Sequence, residues 1–223
     1  YTLLDKVIES ITGKNFQVYF FQKIRQKLGM NGVWLKLGFN NVYFSTARSM
    51  ARFGSAIASV GNWDKTQVIE DKDFVTNMTK PSQNLNLAYG YLWWLNGSES
   101  HRLPQSQFLF KGMLFPDAPT DLVAAMGKDA QYLHLSPSQG LMMIRLGESP
   151  EKESQEVPTL FANEIWKRIN KIRTVSSLNN FFSKNTDVVF DEQSSTLKYL
   201  GNEDAIQFVI TNILGSSFTV DNT

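Results

Sequence analysis

Residues 118–148 read APTDLVAAMGKDAQYLHLSPSQGLMMIRLGE. Three apolar runs, 121–127, 131–136 and 140–147, are separated by the turn signals GKDA and SPSQG. Short strands joined by turns of that length suit an antiparallel meander. Upstream, AYGYLWWLNG is short, aromatic and bounded by turn residues, so a further strand is expected over about 88–95. Downstream, Pro158 precedes TLFANEIWKRINKI, where Leu160, Phe161, Ile165, Trp166 and Ile169 form one helical stripe. Lys167, Arg168, Lys171 and Arg173 gather at its end, as the helix dipole favours. The expectation is an α+β unit in which a helix over 159–172 packs on one face of the sheet.

The residues before the sheet have helical periodicity. Leu3, Leu4, Val7, Ile8 and Ile11 make an amphipathic helix that Gly13 stops. Asn15 caps a second helix carrying Phe16, Tyr19, Phe20, Ile24 and Leu28, ended by Gly29. NGVWLKLGFNN reads as a loop. Ser45 or Thr46 caps a third helix with Met50, Phe53, Ile57 and Val60 inward, closed by Gly61, and a short fourth helix is expected within 69–78. The tail from 175 is rich in Ser and Asn, then alternates in STLKYL and AIQFVITNILG. It carries 2 basic and 6 acidic residues against 20 and 15 in residues 1–174, which marks a boundary near 175.

Of 223 residues, 42% are hydrophobic, enough for a core, so a disordered chain is excluded. The net charge of +1 gives no whole-chain footprint for nucleic acid. With no cysteine there is no disulfide and no thiolate chemistry, and two distant histidines, His101 and His134, make a metal site improbable. No apolar run reaches the roughly 20 residues of a membrane helix. The nucleotide-binding glycine motifs, H-E-x-x-H and G-x-S-x-G do not occur, and no cofactor is expected. S-x-x-K occurs at Ser149/Lys152 and Ser195/Lys198. The first is followed by Pro150 in a polar loop and the second lies in a strand pattern. Neither offers the helical turn on which a lysine amine deprotonates a serine.

Five stretches, in order, resemble the serine β-lactamase and penicillin-binding-protein-like superfamily. The nearest branch holds the class C-like serine hydrolases, carboxylesterases and 6-aminohexanoate-dimer hydrolases. The stretches are YTLLDKVIESITGKNF with KLGM, FSTARSMARFG, GNW, YGYLWW, and the quoted run from Ala118. They extend from Tyr1 to about Ile172. The resemblance implies a β-lactamase-like hydrolase part over 1–174 and a small β-rich tail over 175–223. It implies a serine hydrolase that cleaves esters or amides through an acyl-enzyme. The superfamily's nucleophilic S-x-x-K and its Y-x-N tyrosine lie upstream of the first matched helix, and no Y-x-N occurs here. The chain therefore looks like a C-terminal half that is inactive alone, with an N-terminal half or a second chain as its partner. Large apolar area is then expected around the first helix and one edge of the sheet, left uncovered or covered by a partner chain. Tyr1 reads as a core aromatic.

By the same resemblance, Gly127, Lys128, Asp129, Ala130 and Gln131 match the superfamily's third motif, which in the hydrolase branch resembles G-K-x-G-Q. The Lys128 backbone N–H is implied as an oxyanion donor, because a strand end that turns at glycine aims N–H groups at developing charge. Ala130 stands where glycine is usual. From the residues alone, an ordinary hairpin loop with exposed Lys128 and Asp129 remains open. Tyr91, Trp93 and Trp94 are candidates to wall a small-molecule ester or amide pocket. Adjacent strand residues face opposite ways, so one Trp at most would reach it. Trp34, Trp63 and His134 read as packing residues, and Arg48 and Arg52 as a solvated helix face. Ser49 replaces the superfamily's usual Asp, so any salt bridge there is lost.

The tail resembles, less fully, the C-terminal β-sandwich sorting modules of secreted Bacteroidetes proteins, with VFDEQ where Y-P-N-P is usual. That implies a secreted, periplasmic or cell-surface location. The alternative function is a non-catalytic binding or structural fragment on the same fold.

Overall fold

The computed structural model describes residues 3–104, 106–148, 159–175, 188–191, 196–199, 208–212 and 217–221. Tyr1, Ser149, Lys152 and Ser195 lie outside these. The chain forms two compact units, Tyr1–Thr76 and Asn77–Thr223.

In the first unit, α1 (Leu4–Thr12) ends at Gly13 as the pattern requires. The Asn15 side chain accepts from the Gln17 and Val18 N–H groups and starts α2 (Phe16–Phe20). The expected single helix to Leu28 does not persist. A π-helical turn over Phe21–Arg25 follows, in which the Gln26 N–H reaches back to the Phe21 carbonyl at 2.9 Å.

The segment read as a loop is a hairpin: β1 (Gly32–Leu37) pairs antiparallel with β2 (Asn40–Ser45). Its two-residue turn places Gly38 at the first central position with φ +61°, which this hairpin geometry demands of glycine. Val33, Leu35 and Leu37 alternate with Trp34 and Lys36, a period of two hidden by the short length. Trp34 packs on Phe16, Phe20 and Tyr43 with ring centroids 5.1–5.3 Å apart.

The Thr46 side chain caps α3 (Ala47–Ala58), accepting the Ser49 N–H at 3.2 Å. Ser49 is buried and accepts the Asn31 N–H at 2.9 Å. Arg52 is not merely solvated, since it donates to the Gly29 carbonyl. Met50 and Phe53 pack with Leu28, Met30 and Ala56 in the core, but Val60 is exposed. The short pair β3 (Asn62–Trp63) and β4 (Thr66–Gln67) precedes α4 (Lys72–Met78).

The second unit holds the sheet. The strand expected over 88–95 is only β5 (Trp94–Leu95). The chain before it turns back on itself: the Leu95 N–H donates to the Ala88 carbonyl, the Gly90 N–H to the Trp93 carbonyl, and Leu92 has φ +64°. Gly90 fits because a Cβ there would lie 2.3 Å from the Met78 carbonyl oxygen. A small hairpin, β6 (Ser100–His101) with β7 (Phe110–Lys111), follows.

The expected meander forms as β8 (Val123–Gly127), β9 (Gln131–Ser136) and β10 (Leu141–Arg145), antiparallel throughout, with β5 on the β8 edge. The β9–β10 turn is pinned by Asp121, whose carboxylate accepts the Ser136 hydroxyl at 3.0 Å and the Ser138 N–H at 2.6 Å. On the far edge of β10, tail strands β11 (Val188–Asp191), β12 (Thr196–Tyr199), β13 (Phe208–Asn212) and β14 (Ser217–Asp221) complete an eight-stranded sheet. Its order is β11-β12-β14-β13-β10-β9-β8-β5.

Helix α5 (Thr159–Val175) packs on one face of this sheet, as expected. Ala162, Ile165, Trp166 and Ile169 are buried against Phe115, Leu122, Ala124, Tyr132 and Met143. Leu160, placed on the stripe by periodicity, is 81% exposed. Within the core, the Trp166 indole N–H donates to His134 Nδ1 at 2.9 Å. Asn163 adds two bonds to Asp117, at 2.9 and 2.6 Å.

His134 is fully buried, and burial pushes its pKa from 6.5 down to about 3. The folded state therefore keeps it neutral where the unfolded state binds a proton. Its contribution is complete above pH 6.5 and is lost as pH falls toward 3, by roughly 1 kcal/mol per pH unit. Urea midpoints should fall between pH 6.5 and 5, above the titration of most carboxylates. The decline should be much shallower in His134→Gln. Equal slopes in the two proteins would remove His134 from the account.

Candidate functional site

The turn between β8 and β9 brings Gly127, Lys128, Asp129, Ala130 and Gln131 together. Gly127 is extended (φ −121°, ψ 175°), and Asp129 and Ala130 both have φ +60°. The Gln131 N–H closes the turn on the Lys128 carbonyl. Left-handed backbone is tolerable for Asp and unfavourable for Ala, by about 1–2 kcal/mol. That explains the preference for glycine at this position. Ala130 is nonetheless fully buried, with its methyl group in the core. Lys128 is exposed and Asp129 half-buried.

The carbonyls of this turn are held from behind. Arg145, at the end of β10, donates to the Asp129 carbonyl at 3.0 Å and the Ala130 carbonyl at 2.9 Å. Its second amino group donates to the Glu148 carbonyl at 2.6 Å, and its guanidinium lies 5.1 Å over the Phe161 ring of α5. Burial lowers the Arg145 pKa from its ordinary value, but an arginine remains charged. The Gln131 amide adds a reciprocal pair with Gly147, donating to its carbonyl at 2.5 Å and accepting its N–H at 3.0 Å. The peptide unit is planar and trans, so a C=O fixed on Arg145 aims the next N–H, that of Ala130, to the opposite side.

Sequence reading missed Arg145 as a site residue. The available signal was a lone cation inside the apolar run LMMIRL, where a buried charge must find partners.

The three aromatic candidates are placed differently. Trp94 is buried in the sheet–helix core, edge-on to Tyr89 at 4.8 Å. Trp93 is buried as well, so neither indole is open to solvent, and Tyr91 is 47% exposed. Residues 89–93 turn instead of running as a strand, so the alternation of adjacent strand residues does not apply to Trp93. The pairing Trp94↔Ala124 and Leu95↔Val123 directs residues 91–93 toward the Gly127 end of β8. Among the described residues, no group of three His, Asp or Glu side chains could hold a metal ion, and no helix is long and apolar enough to cross a membrane.

No protein-family model matches the chain, and no curated protein matches it. Among solved structures, it is similar to a protein assigned as a 6-aminohexanoate-dimer hydrolase from Bacillus anthracis, with a TM-score of 0.56 and 16% identity. The match covers 78% of this chain and 42% of that one. At that identity the likeness is one of fold. The architecture is mixed α/β with an antiparallel sheet, a part of the β-lactamase-like fold. The chain spans less than half the length of this neighbour.

Arg145→Ala should cost about 1.5–3 kcal/mol of stability, the range for hydrogen bonds to a charged group. In an Ala130→Gly background the cost should be smaller, because glycine accepts the left-handed turn without external support. A double-mutant cycle by urea unfolding measures this coupling. Simple additivity would mean that Arg145 does not support the turn.

Proposed function

We propose that this chain is the oxyanion-turn part of a serine hydrolase that cleaves ester or amide bonds. The observation that carries the reading is the turn 127–131: Arg145 holds its Asp129 and Ala130 carbonyls and the Gln131 side-chain amide also donates to the Asp129 carbonyl, at the sheet end toward which residues 91–93 are directed. In the proposed reaction a serine Oγ, supplied from outside residues 1–223, attacks the substrate carbonyl. Its proton passes to a lysine or tyrosine, and the carbonyl oxygen gains the negative charge. The Lys128 N–H stabilises that oxyanion. The protonated leaving group departs, and water hydrolyses the acyl-enzyme. Gly127, Asp129, Ala130 and Gln131 shape the turn. Tyr91 is the aromatic proposed to meet substrate, with Trp93 and Trp94 anchoring its loop.

The partner in this reading is a polypeptide bearing S-x-x-K and Y-x-N, either the N-terminal half or a second chain. The tail 175–223 is proposed as a sorting module of a secreted, periplasmic or cell-surface protein, on its sequence resemblance alone. Exposed apolar residues on α1, with Leu4 at 47% and Ile11 at 79%, support a missing partner.

The chain alone should release no p-nitrophenol from p-nitrophenyl esters beyond the buffer rate. Added to a polypeptide carrying the two motifs, it should yield turnover. In that active protein, Lys128→Pro deletes the proposed donor and should lower turnover about 10²–10³-fold. The extended Gly127 is the conformation a residue before proline needs, so the fold should tolerate the change. Lys128→Ala, which keeps the N–H, should be milder. Turnover by the chain alone, or unchanged turnover in Lys128→Pro, would contradict the proposal. A complemented protein that stays inert would favour the non-catalytic binding reading.

A further inference from the structure

The dipeptide Asn-Gly occurs twice in the chain, at Asn31–Gly32 and Asn96–Gly97. It is chemically labile, because a residue without Cβ leaves its backbone nitrogen open to the preceding side-chain carbonyl. The fold demands both glycines. Gly32 has φ +145°, and a Cβ there would lie 2.5 Å from the Phe44 carbonyl oxygen. Gly97 has φ +82°, and its Cβ would lie 2.5 Å from the Thr120 carbonyl oxygen. What holds each asparagine therefore decides the fate of each pair.

Asn96 is locked. It is buried, its Nδ2 donates to the Phe115 and Pro119 carbonyls at 3.0 Å each, and its Oδ1 accepts the Phe115 N–H at 3.0 Å. Its side chain cannot swing toward Gly97 without breaking these bonds. Asn31 is the opposite case. It is exposed, and among the described residues no hydrogen bond engages its side-chain amide. The nitrogen it must meet is free of β2 as well. The two-residue turn makes Leu37/Asn40 a bonded pair, so bonded pairs recur at Leu35/Val42 and Val33/Phe44, and Gly32/Ser45 is a non-bonded pair. The Asn31 main chain is a junction: its N–H donates to Ser49 Oγ at 2.9 Å, and its carbonyl accepts the Ser45 hydroxyl at 2.6 Å and the Tyr43 hydroxyl at 3.3 Å.

We propose that Asn31 is a site of spontaneous deamidation that releases the start of the β1–β2 hairpin, whereas Asn96 is protected. The Gly32 nitrogen gives its proton to hydroxide and bonds to Asn31 Cγ. The Cγ–Nδ2 bond breaks, and the amide nitrogen takes a proton from water and leaves as ammonia. Water then opens the cyclic imide. Opening between Cγ and the Gly32 nitrogen leaves aspartate. Opening at the main-chain carbonyl leaves isoaspartate, with the chain running through Cγ. Both products carry a new carboxylate. Isoaspartate also inserts a methylene into the main chain, about 1.5 Å of extra path. That insertion falls between the N–H held by Ser49 and the carbonyl held by Ser45, so one backbone geometry no longer satisfies both. The proposal is independent of any hydrolase activity.

The test is to age the chain in mildly alkaline buffer and map it by trypsin digestion and mass spectrometry. Peptide 28–36 contains Asn31 and no other asparagine. In the folded protein Asn31 should convert at least about tenfold faster than Asn96, and in urea the two rates should converge. Hydrogen exchange should show protection lost from β1 and β2 in the aged protein. Asn31→Gln, whose longer side chain cannot close the same ring, should neither convert nor lose protection on ageing. Asn31→Asp before ageing adds the charge without the methylene and should keep its protection. Equal conversion of the two asparagines in the folded protein overturns the proposal. So does an intact Asn31 after the urea-unfolded chain has converted, or a converted hairpin whose protection is unchanged.

Discussion

The seat of α5 on the sheet is the contact on which the second unit depends. Trp166 is fully buried there, and its indole N–H ends on His134, itself without exposed surface. An indole donor left unpaired in that core would cost about 1–3 kcal/mol, and the neutral imidazole removes the cost. The neutral ring carries its proton on Nε2, which finds no partner among the described residues. One orphaned donor is thus accepted in exchange for a defined helix position. Phe115 and Tyr132 enclose the imidazole at 5.2 and 5.3 Å between ring centroids.

From that seat the constraint reaches the turn. Docking of α5 puts Phe161 under the Arg145 guanidinium, and Arg145 in turn holds the carbonyls of Asp129 and Ala130. The same helix presents Asn163 and Asn170 to Asp117, fixing the loop that leads into β8. Asn96 closes that loop from the other side, donating to the Phe115 and Pro119 carbonyls. The left-handed pair 129–130 therefore does not stand on local preference. It is over-determined by the helix and by the last residue of β10, as strained backbone has to be.

Much of this was legible in the residues. The meander, its turns and the docked helix follow from periodicity and turn chemistry, and Asn15 and Thr46 cap the helices that their side chains suggest. What escaped has definite physical causes. The β1–β2 strands leave one face uncovered, so burial supplies no clear alternation. The π-helical turn at 21–25 keeps a helical stripe while shifting its hydrogen bonds, which composition does not register. Residues 88–93 have strand-like composition but turn where Gly90 lies against the Met78 carbonyl, a contact distant in kind from any local pattern. At the candidate site, the turn residues were recognisable by resemblance, whereas Arg145 acts through backbone carbonyls and has no local signature. Ala130 was visible as a departure. Its φ of +60° gives that departure its meaning.

The central claim is that the turn 127–131 is preset within this chain. Solution NMR of the chain without ligand tests it directly, through the backbone couplings of Asp129 and Ala130 and the guanidinium protons of Arg145. The account predicts positive φ at both residues, near +60°, and slowly exchanging Arg145 protons bonded to the two carbonyls. Negative φ at Ala130, with a freely exchanging Arg145, would contradict it.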